Sequence, residues 1–187
     1  MRYLSFMIVV WTAATTPFAV RGQTASGPEV GGKAAPLKAA AGTGERAGQD
    51  VDFVADRGDK PTVFVFVRAD KWDRPAARYL RAIDQALVKG VEGAEDAAAV
   101  AIWLTDDVET AKQYVPTAQQ SLQLERTTFA VHPGDRFGPK GWSINGEAHV
   151  TTVVVRSGKV VASFGYLSLN ETNVPEVVKA LGKKADK

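Results

Sequence analysis

The side chains best suited to chemistry are grouped in one short stretch, Lys71-Trp72-Asp73-Arg74-Pro75-Ala76. Its carboxylate, Asp73, stands between an indole and a guanidinium group, where a carboxylate could act as a general base. The position also suits capping, because a helix that begins at Arg74 with Pro75 in its first turn has Asp73 as its N-cap. The positive end of a helix stabilises an ionised carboxylate, which makes it a weak base. Capping is therefore the favoured role.

The chain has two histidines, His132 and His149. A protein zinc site needs three or four ligands at recognisable spacing. His149, Asp73 and Glu147 are the set that could be assembled, but they belong to no metal-binding motif. We therefore predict no metal ion and no other cofactor, and we expect both histidines at the surface or in turns.

Three arginines, Arg74, Arg78 and Arg81, follow one another at helical spacing and would share one face of the predicted helix. With Lys71 and the helix N-terminus they could bind an anion, although a solvated helix face is the more frequent arrangement. The phosphate-loop pattern GK[ST] and the hydrolase pattern GxSxG are both absent. The common nucleotide-binding and hydrolase classes therefore find no support in the sequence.

Composition indicates one globular domain with additional segments at its ends. Hydrophobic residues make up 45% and charged residues 24% of the 187 residues, which allows a sizeable core without a metal or a disulfide.

The chain contains no cysteine. Thiol peroxidase, thiol reductase and disulfide isomerase reactions all require a thiolate, so these activities are excluded.

Residues 1–22 have the organisation of a secretory signal peptide. Met1-Arg2 precedes an uncharged, mostly apolar segment from Tyr3 to Val20, and Gly22 completes a small-residue cleavage site before Gln23. An uncleaved membrane anchor is the alternative, but threonines and a proline weaken the apolar segment. We expect no stable membrane span after cleavage, and a lipid anchor would need a cysteine. The predicted location is the periplasm or the outside of the cell.

Cleavage would also change the charge of the chain. It would remove Arg2 and Arg21 from the 23 basic residues and leave 21 basic and 21 acidic residues. The mature chain is then formally neutral and has no basic cluster of the kind that binds nucleic acid or an anionic membrane. Nucleic acid is therefore not a predicted partner.

The remaining chain divides into a flexible segment, residues 23–48, and a domain, residues 49–183. Apolar runs predict buried strands at 62–67, 98–104 and 127–131, with amphipathic helices between them. Two further strands at 150–155 and 159–164 flank a Ser-Gly turn and predict a hairpin, which a final helix follows. This β-α-β-α-β order predicts an α/β fold, with a mixed central sheet and helices on both faces.

Three segments resemble the thioredoxin-like fold, in particular its redoxin and peroxiredoxin-related branch. EVGGKAAPLKA at residues 29–39 resembles the opening of such domains, with its Val-Gly-x-x-Ala-Pro pattern. GDKPTVFVFVRADKW at residues 58–72 resembles the strand that leads to the redox pair, and VTTVVVRSGKVVASFGY at residues 150–166 resembles the final hairpin. The resemblance covers about residues 30–181 and implies a thioredoxin-like domain.

The sequence departs from that family where the chemistry takes place. The family's Trp-Cys-x-Pro-Cys motif would overlay residues 72–76, with Asp73 and Ala76 in the two sulfur positions, and the peroxiredoxin motif is absent as well. The family's cis-proline would fall near Thr151. A cis bond without proline costs about 3 kcal/mol, so we expect a trans bond there. The resemblance also places His149 near Asp73.

We therefore predict an exported thioredoxin-like protein without thiol redox activity, which binds a protein or peptide at a cleft. The candidate cleft residues are Lys71, Trp72, Arg74, His149 and Thr151, beside Asp73, Pro75 and Ala76. One alternative is a non-thiol enzyme or small-ligand or metal-binding protein that uses Asp73, Arg74 and His149. Another is a structural envelope protein with no specific ligand. Trp72 and Trp142 could anchor a partner if exposed, but packing over loops is favoured for both.

Overall fold

The computed structural model of the protein describes residues 22–134 and 137–182. The predicted signal peptide lies outside the described residues except for Gly22, as does the predicted domain end at 183. The described strands are β1 (Gln23–Thr24), β2 (Lys38–Ala41), β3 (Asp50–Asp52), β4 (Thr62–Arg68), β5 (Ala98–Thr105), β6 (Thr127–Pro133), β7 (Val150–Arg156) and β8 (Lys159–Tyr166). The described α-helices are α1 (Phe53–Arg57), α2 (Arg74–Lys89), α3 (Val108–Leu122) and α4 (Val174–Gly182), and short 3-10 turns cover Ala69–Lys71 and Glu171–Asn173.

All eight strands form one mixed sheet in the order β1-β8-β7-β4-β5-β6-β2-β3. The predicted β-α-β-α-β unit is confirmed, because β4, β5 and β6 are parallel neighbours joined by α2 and α3. The predicted hairpin is also confirmed: β7 pairs antiparallel with β8 on one side and with β4 on the other. The carboxyl end of β4 therefore lies near the middle of the sheet and leads directly into the predicted site.

Alternation along β4 divides the core between the two faces of the sheet. Val63, Val65 and Val67 pack with α2, α3 and α4 on one face, which we call the helical face. Phe64 and Phe66 point to the opposite face, which is covered by the short helix α1 and by loops. The helices are thus unevenly distributed, with the three long ones on one side. Among the helices of residues 22–134 and 137–182, none is long and apolar enough to cross a bilayer.

Trp142 is the largest side chain in the core of the opposite face. It is completely buried, and its ring centroid lies 5.1 Å from that of Phe64 and 5.0 Å from that of Phe66. Its indole N–H donates a hydrogen bond to the carbonyl oxygen of Pro36 at 3.3 Å. The ring is buried among apolar side chains, and its N–H has a hydrogen-bond acceptor. Trp142 is therefore a packing residue and offers no surface to a partner.

The predicted flexible segment, residues 23–48, is instead part of the sheet, and the predicted domain boundary at 49 is wrong. β1 pairs with β8 at one edge, and β2 pairs with β6 on the other side of the sheet. Leu37, just before β2, is completely buried in the core of the opposite face. The sequence signal was weak because β2 has the sequence KAAA, which lacks the branched and aromatic residues that favour strands. Its neighbours in the sheet supply the stabilisation that local propensity does not.

Two buried tyrosines lie on the helical face between α2 and β8. The hydroxyl of Tyr79 is 2.8 Å from that of Thr152, and the hydroxyl of Tyr166 donates to Glu176 at 2.8 Å. The two rings meet edge to face with centroids 5.7 Å apart. Burial raises the pKa of both tyrosines above the ordinary value, because the apolar surroundings disfavour the phenolate.

Asp84, on α2, is a buried carboxylate with only 2% of its surface exposed. It accepts hydrogen bonds from the backbone N–H groups of Glu125 at 3.1 Å and Arg126 at 2.8 Å. The hydroxyl of Thr127 donates to the same carboxylate at 2.8 Å. These donors offset the cost of burying the charge, and the carboxylate fixes the start of β6 against α2.

Candidate functional site

The predicted site lies at the corner where the chain leaves β4 and enters α2. The 3-10 turn Ala69–Lys71 follows the strand, and Trp72 follows the turn in extended conformation. The predicted N-cap is confirmed, since the Asp73 side chain accepts a hydrogen bond from the backbone N–H of Ala76 at 2.9 Å. Pro75 occupies the first turn of the helix, where its missing N–H costs nothing.

The two positions that would carry sulfur in the resembling family differ in accessibility. Asp73 keeps 44% of its side chain exposed at the corner. Ala76, a residue of α2, is buried and contributes to the core of the helical face. Of the two positions, only Asp73 therefore offers solvent a functional group, and one oxygen of its carboxylate is already used in capping.

Trp72 forms the apolar part of the corner together with residues from two strands and a helix. Its ring packs against Trp103 of β5 with centroids 5.0 Å apart and lies 6.5 Å from Phe129 of β6. Its indole N–H donates to the hydroxyl of Tyr114, on α3, at 3.0 Å. We call Trp72, Trp103, Tyr114 and Phe129 the aromatic cluster. Trp72 is partly buried in it, whereas Tyr114 is 42% exposed.

Tyr114 is a site residue that the sequence analysis did not predict. It lies 42 residues from Trp72 in the chain, and their contact depends on how α3 packs against β5 and β6. The available signal was an aromatic residue in a helix, preceded by the polar residues Lys112 and Gln113. That pattern shows an exposed aromatic residue but not what it contacts.

His149 lies beside the corner and braces it. Its Nε2 atom is hydrogen-bonded to the carbonyl oxygen of Lys71, and the same atom is 3.6 Å from an Asp73 oxygen. A carbonyl oxygen can only accept, so Nε2 carries a proton and donates it. This hydrogen bond commits Nε2 to the backbone of the turn. The histidine thereby links the start of β7 to the turn.

Thr151 does not share this surface. Its hydroxyl is 2.6 Å from the hydroxyl of Ser26, and the residue is 1% exposed. The next residue, Thr152, contacts Tyr79 of α2. Successive side chains of a strand point to opposite faces, so Thr151 points away from α2 and from the corner. All peptide bonds of the described residues are trans.

The three arginines of α2 do not form one anion site. Arg74 is exposed at the first position of the helix. Arg78 forms an ion pair with Glu171 at 2.9 Å, and Arg81 donates to Gln123 at 3.3 Å. Of the three arginines, Arg74 is therefore the one that remains at the corner, beside Asp73. Within the described ranges, no group of three or more histidine or acidic side chains is arranged to hold a metal ion.

A charged cleft of about 470 Å³ adjoins the other side of the turn, at the carboxyl ends of β4 and β5. Arg68 lines it and is bound by Asp70, to which its Nε donates at 2.9 Å. Asp106 and Asp107 line the opposite wall, and Asp107 caps α3 by accepting from the N–H of Thr110. The arginine and two of the three carboxylates thus already have partners in the fold.

No family model matches the chain, and no curated protein matches it. Solved structures do. A candidate protein disulfide isomerase from Bacteroides thetaiotaomicron matches with 20% identity over 84% of this chain and 89% of that one, at a TM-score of 0.58. A secreted thiol-disulfide isomerase from Corynebacterium glutamicum matches with 11% identity over 80% and 85%, at 0.56. A peroxiredoxin-like protein from Aquifex aeolicus matches with 14% identity over 85% and 91%, at 0.55. The chain therefore has the thioredoxin-like fold of these proteins, but it has no cysteine with which to carry out thiol redox chemistry.

Proposed function

We propose that this protein is an exported, non-catalytic binding module that holds a protein or peptide at the corner between β4 and α2. The observation that carries the proposal is the Trp72–Tyr114 pair, in which a hydrogen bond at 3.0 Å fixes a half-buried indole against an exposed phenol. Aromatic residues that are held rigid lose little entropy on binding and contribute strongly to protein interfaces.

Charge beside the aromatic pair would add specificity. Asp73 and Arg74 are both exposed at the start of α2, and exposed charges at the rim of an interface set orientation and partner choice more than affinity. A peptide that places an apolar side chain over Trp72 and its backbone N–H and C=O groups near Asp73 and Arg74 would fit this arrangement. Thr151 is no longer part of the proposed cleft, and Tyr114 takes its place.

Export is supported by the organisation of residues 1–22. One of the similar structures is of a secreted protein, and a thioredoxin-like domain is therefore compatible with that environment. The absence of cysteine means that binding at the corner could not be followed by disulfide exchange.

The test is peptide selection against the immobilised chain from Gln23 to Lys187. Selected peptides should lose most of their affinity for a Tyr114→Ala variant and for a Trp72→Ala variant. The matched control is Val88→Ala, which removes another exposed apolar side chain from the far end of α2. Far-ultraviolet circular dichroism of each variant would establish that it remains folded.

The binding of selected peptides to the variants decides whether the corner is the binding site. Peptides that bind wild type and Val88→Ala equally but not Tyr114→Ala would support the corner as the binding site. The proposal fails if selection yields no sequence preference, or if Tyr114→Ala binds the selected peptides as well as wild type does.

A second candidate function is binding of a small ligand by Asp73, Arg74 and His149. The observation in its favour is the 3.6 Å approach of His149 Nε2 to Asp73. Metal analysis of the purified protein and a thermal-shift screen of ions and small anions would test it. Stoichiometric metal, or a ligand-dependent stabilisation that His149→Ala abolishes, would favour this function over peptide binding.

A further inference from the structure

A second cleft, of about 550 Å³, lies at the opposite end of the sheet from the corner, at the amino ends of β5 and β6. Its floor is formed by Ala98, Val100 and Thr128. One wall is α1, and the other is the loop Thr43–Arg46. Its volume is within the range of pockets that hold small molecules.

Arg57, the last residue of α1, is held rigidly in this cleft. Its guanidinium group donates to the hydroxyl of Thr62 at 3.0 Å and to the carbonyl oxygens of Pro61 at 3.3 Å and Asp96 at 2.8 Å. All three acceptors are neutral. Among the residues that the structure describes, no carboxylate lies within ion-pair distance of this guanidinium. Burial lowers the pKa of Arg57, and the nearby charges of Asp56 and Asp96 partly offset that effect.

Arg126 adds a second guanidinium to the same cleft. Its backbone is fixed, because its N–H donates to the buried carboxylate of Asp84 at 2.8 Å. Its charge is near enough to Arg57 to lower the pKa of that residue, although by less than Asp56 and Asp96 raise it. Two like charges that the fold places near each other repel, and an anion between them would remove that repulsion.

The charged residues that line the cleft carry a small excess of positive charge, which would favour such an anion. Arg46 and Asp56 form an ion pair at 3.2 Å between the loop and α1, so Asp56 already has a cation. Lys60 lines the cleft as a further cation, whereas the other acidic residues lining it are Glu45 and Glu125. The cations outnumber the carboxylates once the Arg46–Asp56 pair is set aside.

From these observations we propose that the cleft between α1 and the loop Thr43–Arg46 binds the phosphate group of a small molecule, with Arg57 and Arg126 as its ligands. Guanidinium groups donate charge-assisted hydrogen bonds to phosphate oxygens. The fixed position of Arg57 reduces the entropy lost on binding. The site is separate from the corner and does not depend on peptide binding there.

The test is a titration of the chain from Gln23 to Lys187 with inorganic phosphate and, separately, with glycerol 3-phosphate at constant ionic strength. Amide shifts in nitrogen–proton NMR spectra report both affinity and location. Saturable shifts should concentrate at Gly44, Val100 and Thr128. Arg126→Gln should weaken binding about tenfold, as expected for the loss of one charge-assisted contact. The control Lys89→Gln removes an exposed cation from the end of α2 and should leave binding unchanged.

Arg57→Gln is less suitable because the residue also joins three segments of the backbone, and Arg126→Gln therefore carries the test. Saturable binding of either probe with these properties supports the site, and the tighter probe shows whether the ligand is free or esterified phosphate. Absence of saturable binding by both probes would overturn the proposal. Shifts elsewhere in the protein, or equal weakening by Arg126→Gln and Lys89→Gln, would overturn it as well.

Discussion

The indole N–H of Trp72 donates to the hydroxyl of Tyr114 at 3.0 Å, so that two residues 42 positions apart form one surface. The contact joins the turn before α2 to the helix after β5. It orders Trp72 without burying it completely. The two residues therefore form an aromatic surface in a thioredoxin-like chain that has no cysteine.

Removal of the Tyr114 ring should expose Trp72 to solvent. In the chain from Gln23 to Lys187, Tyr114→Ala should increase acrylamide quenching of tryptophan fluorescence, whereas Tyr114→Phe should increase it less, because the ring remains. The cost to stability should be about 1 kcal/mol or less for Tyr114→Phe, since water can replace the lost hydrogen bond. Unchanged quenching in Tyr114→Ala would contradict the contact.

Loss of the N-cap at Asp73 should destabilise the protein modestly. Asp73→Ala removes the acceptor for the N–H of Ala76 and should lower the free energy of unfolding by about 1 kcal/mol. Asp73→Ser keeps an acceptor at this position and should recover most of the loss. Urea denaturation of the two variants provides the comparison, and equal stability of both would argue against a capping role.

Loss of the buried carboxylate at Asp84 should cost much more. Asp84→Ala leaves two backbone N–H groups and the Thr127 hydroxyl without their acceptor and should lower the free energy of unfolding by about 3 kcal/mol. Asp84→Asn should lose less, because its amide oxygen can still accept. The exposed Asp106→Ala serves as the control and should change stability by less than about 0.5 kcal/mol.

The two buried tyrosines should make the fold sensitive to alkali. Their pKa values are raised in the folded state, so above pH of about 10 the unfolded chain loses phenolic protons that the folded chain retains. This contribution to stability is complete at neutral pH and declines as the pH rises. Urea denaturation at increasing pH should show a shallower decline for Tyr79→Phe than for wild type. Identical slopes would show that Tyr79 does not contribute.

The segment before residue 49 should be required for folding. A chain that begins at Gln49 lacks β1, β2 and the buried Leu37, and it should show no cooperative thermal transition by circular dichroism. Leu37→Ala in the longer chain should lower the free energy of unfolding by about 2 to 4 kcal/mol. Independent folding of the shorter chain would restore the boundary that the sequence suggested.

Much of the sheet could be predicted because short runs of adjacent apolar residues mark its central strands. The continuous apolar run of β4 and the capping signal at Asp73 are properties of a few adjacent residues, and both predictions are confirmed. The strand β2 was missed because four small residues, KAAA, have no strand preference of their own. They become a strand only when β6 and β3 supply hydrogen bonds on both sides.

The sequence by itself determines that thiol redox activity is absent, because a chain without cysteine has no thiolate whatever its fold. Which residues form the corner is decided by tertiary structure. Thr151 and Thr152 are neighbours in the chain, yet strand alternation sends one to Ser26 on the opposite face and the other to Tyr79 on the helical face. Tyr114 reaches Trp72 because α3 packs against β5 and β6. Such contacts depend on the relative position of distant elements, which no local pattern encodes.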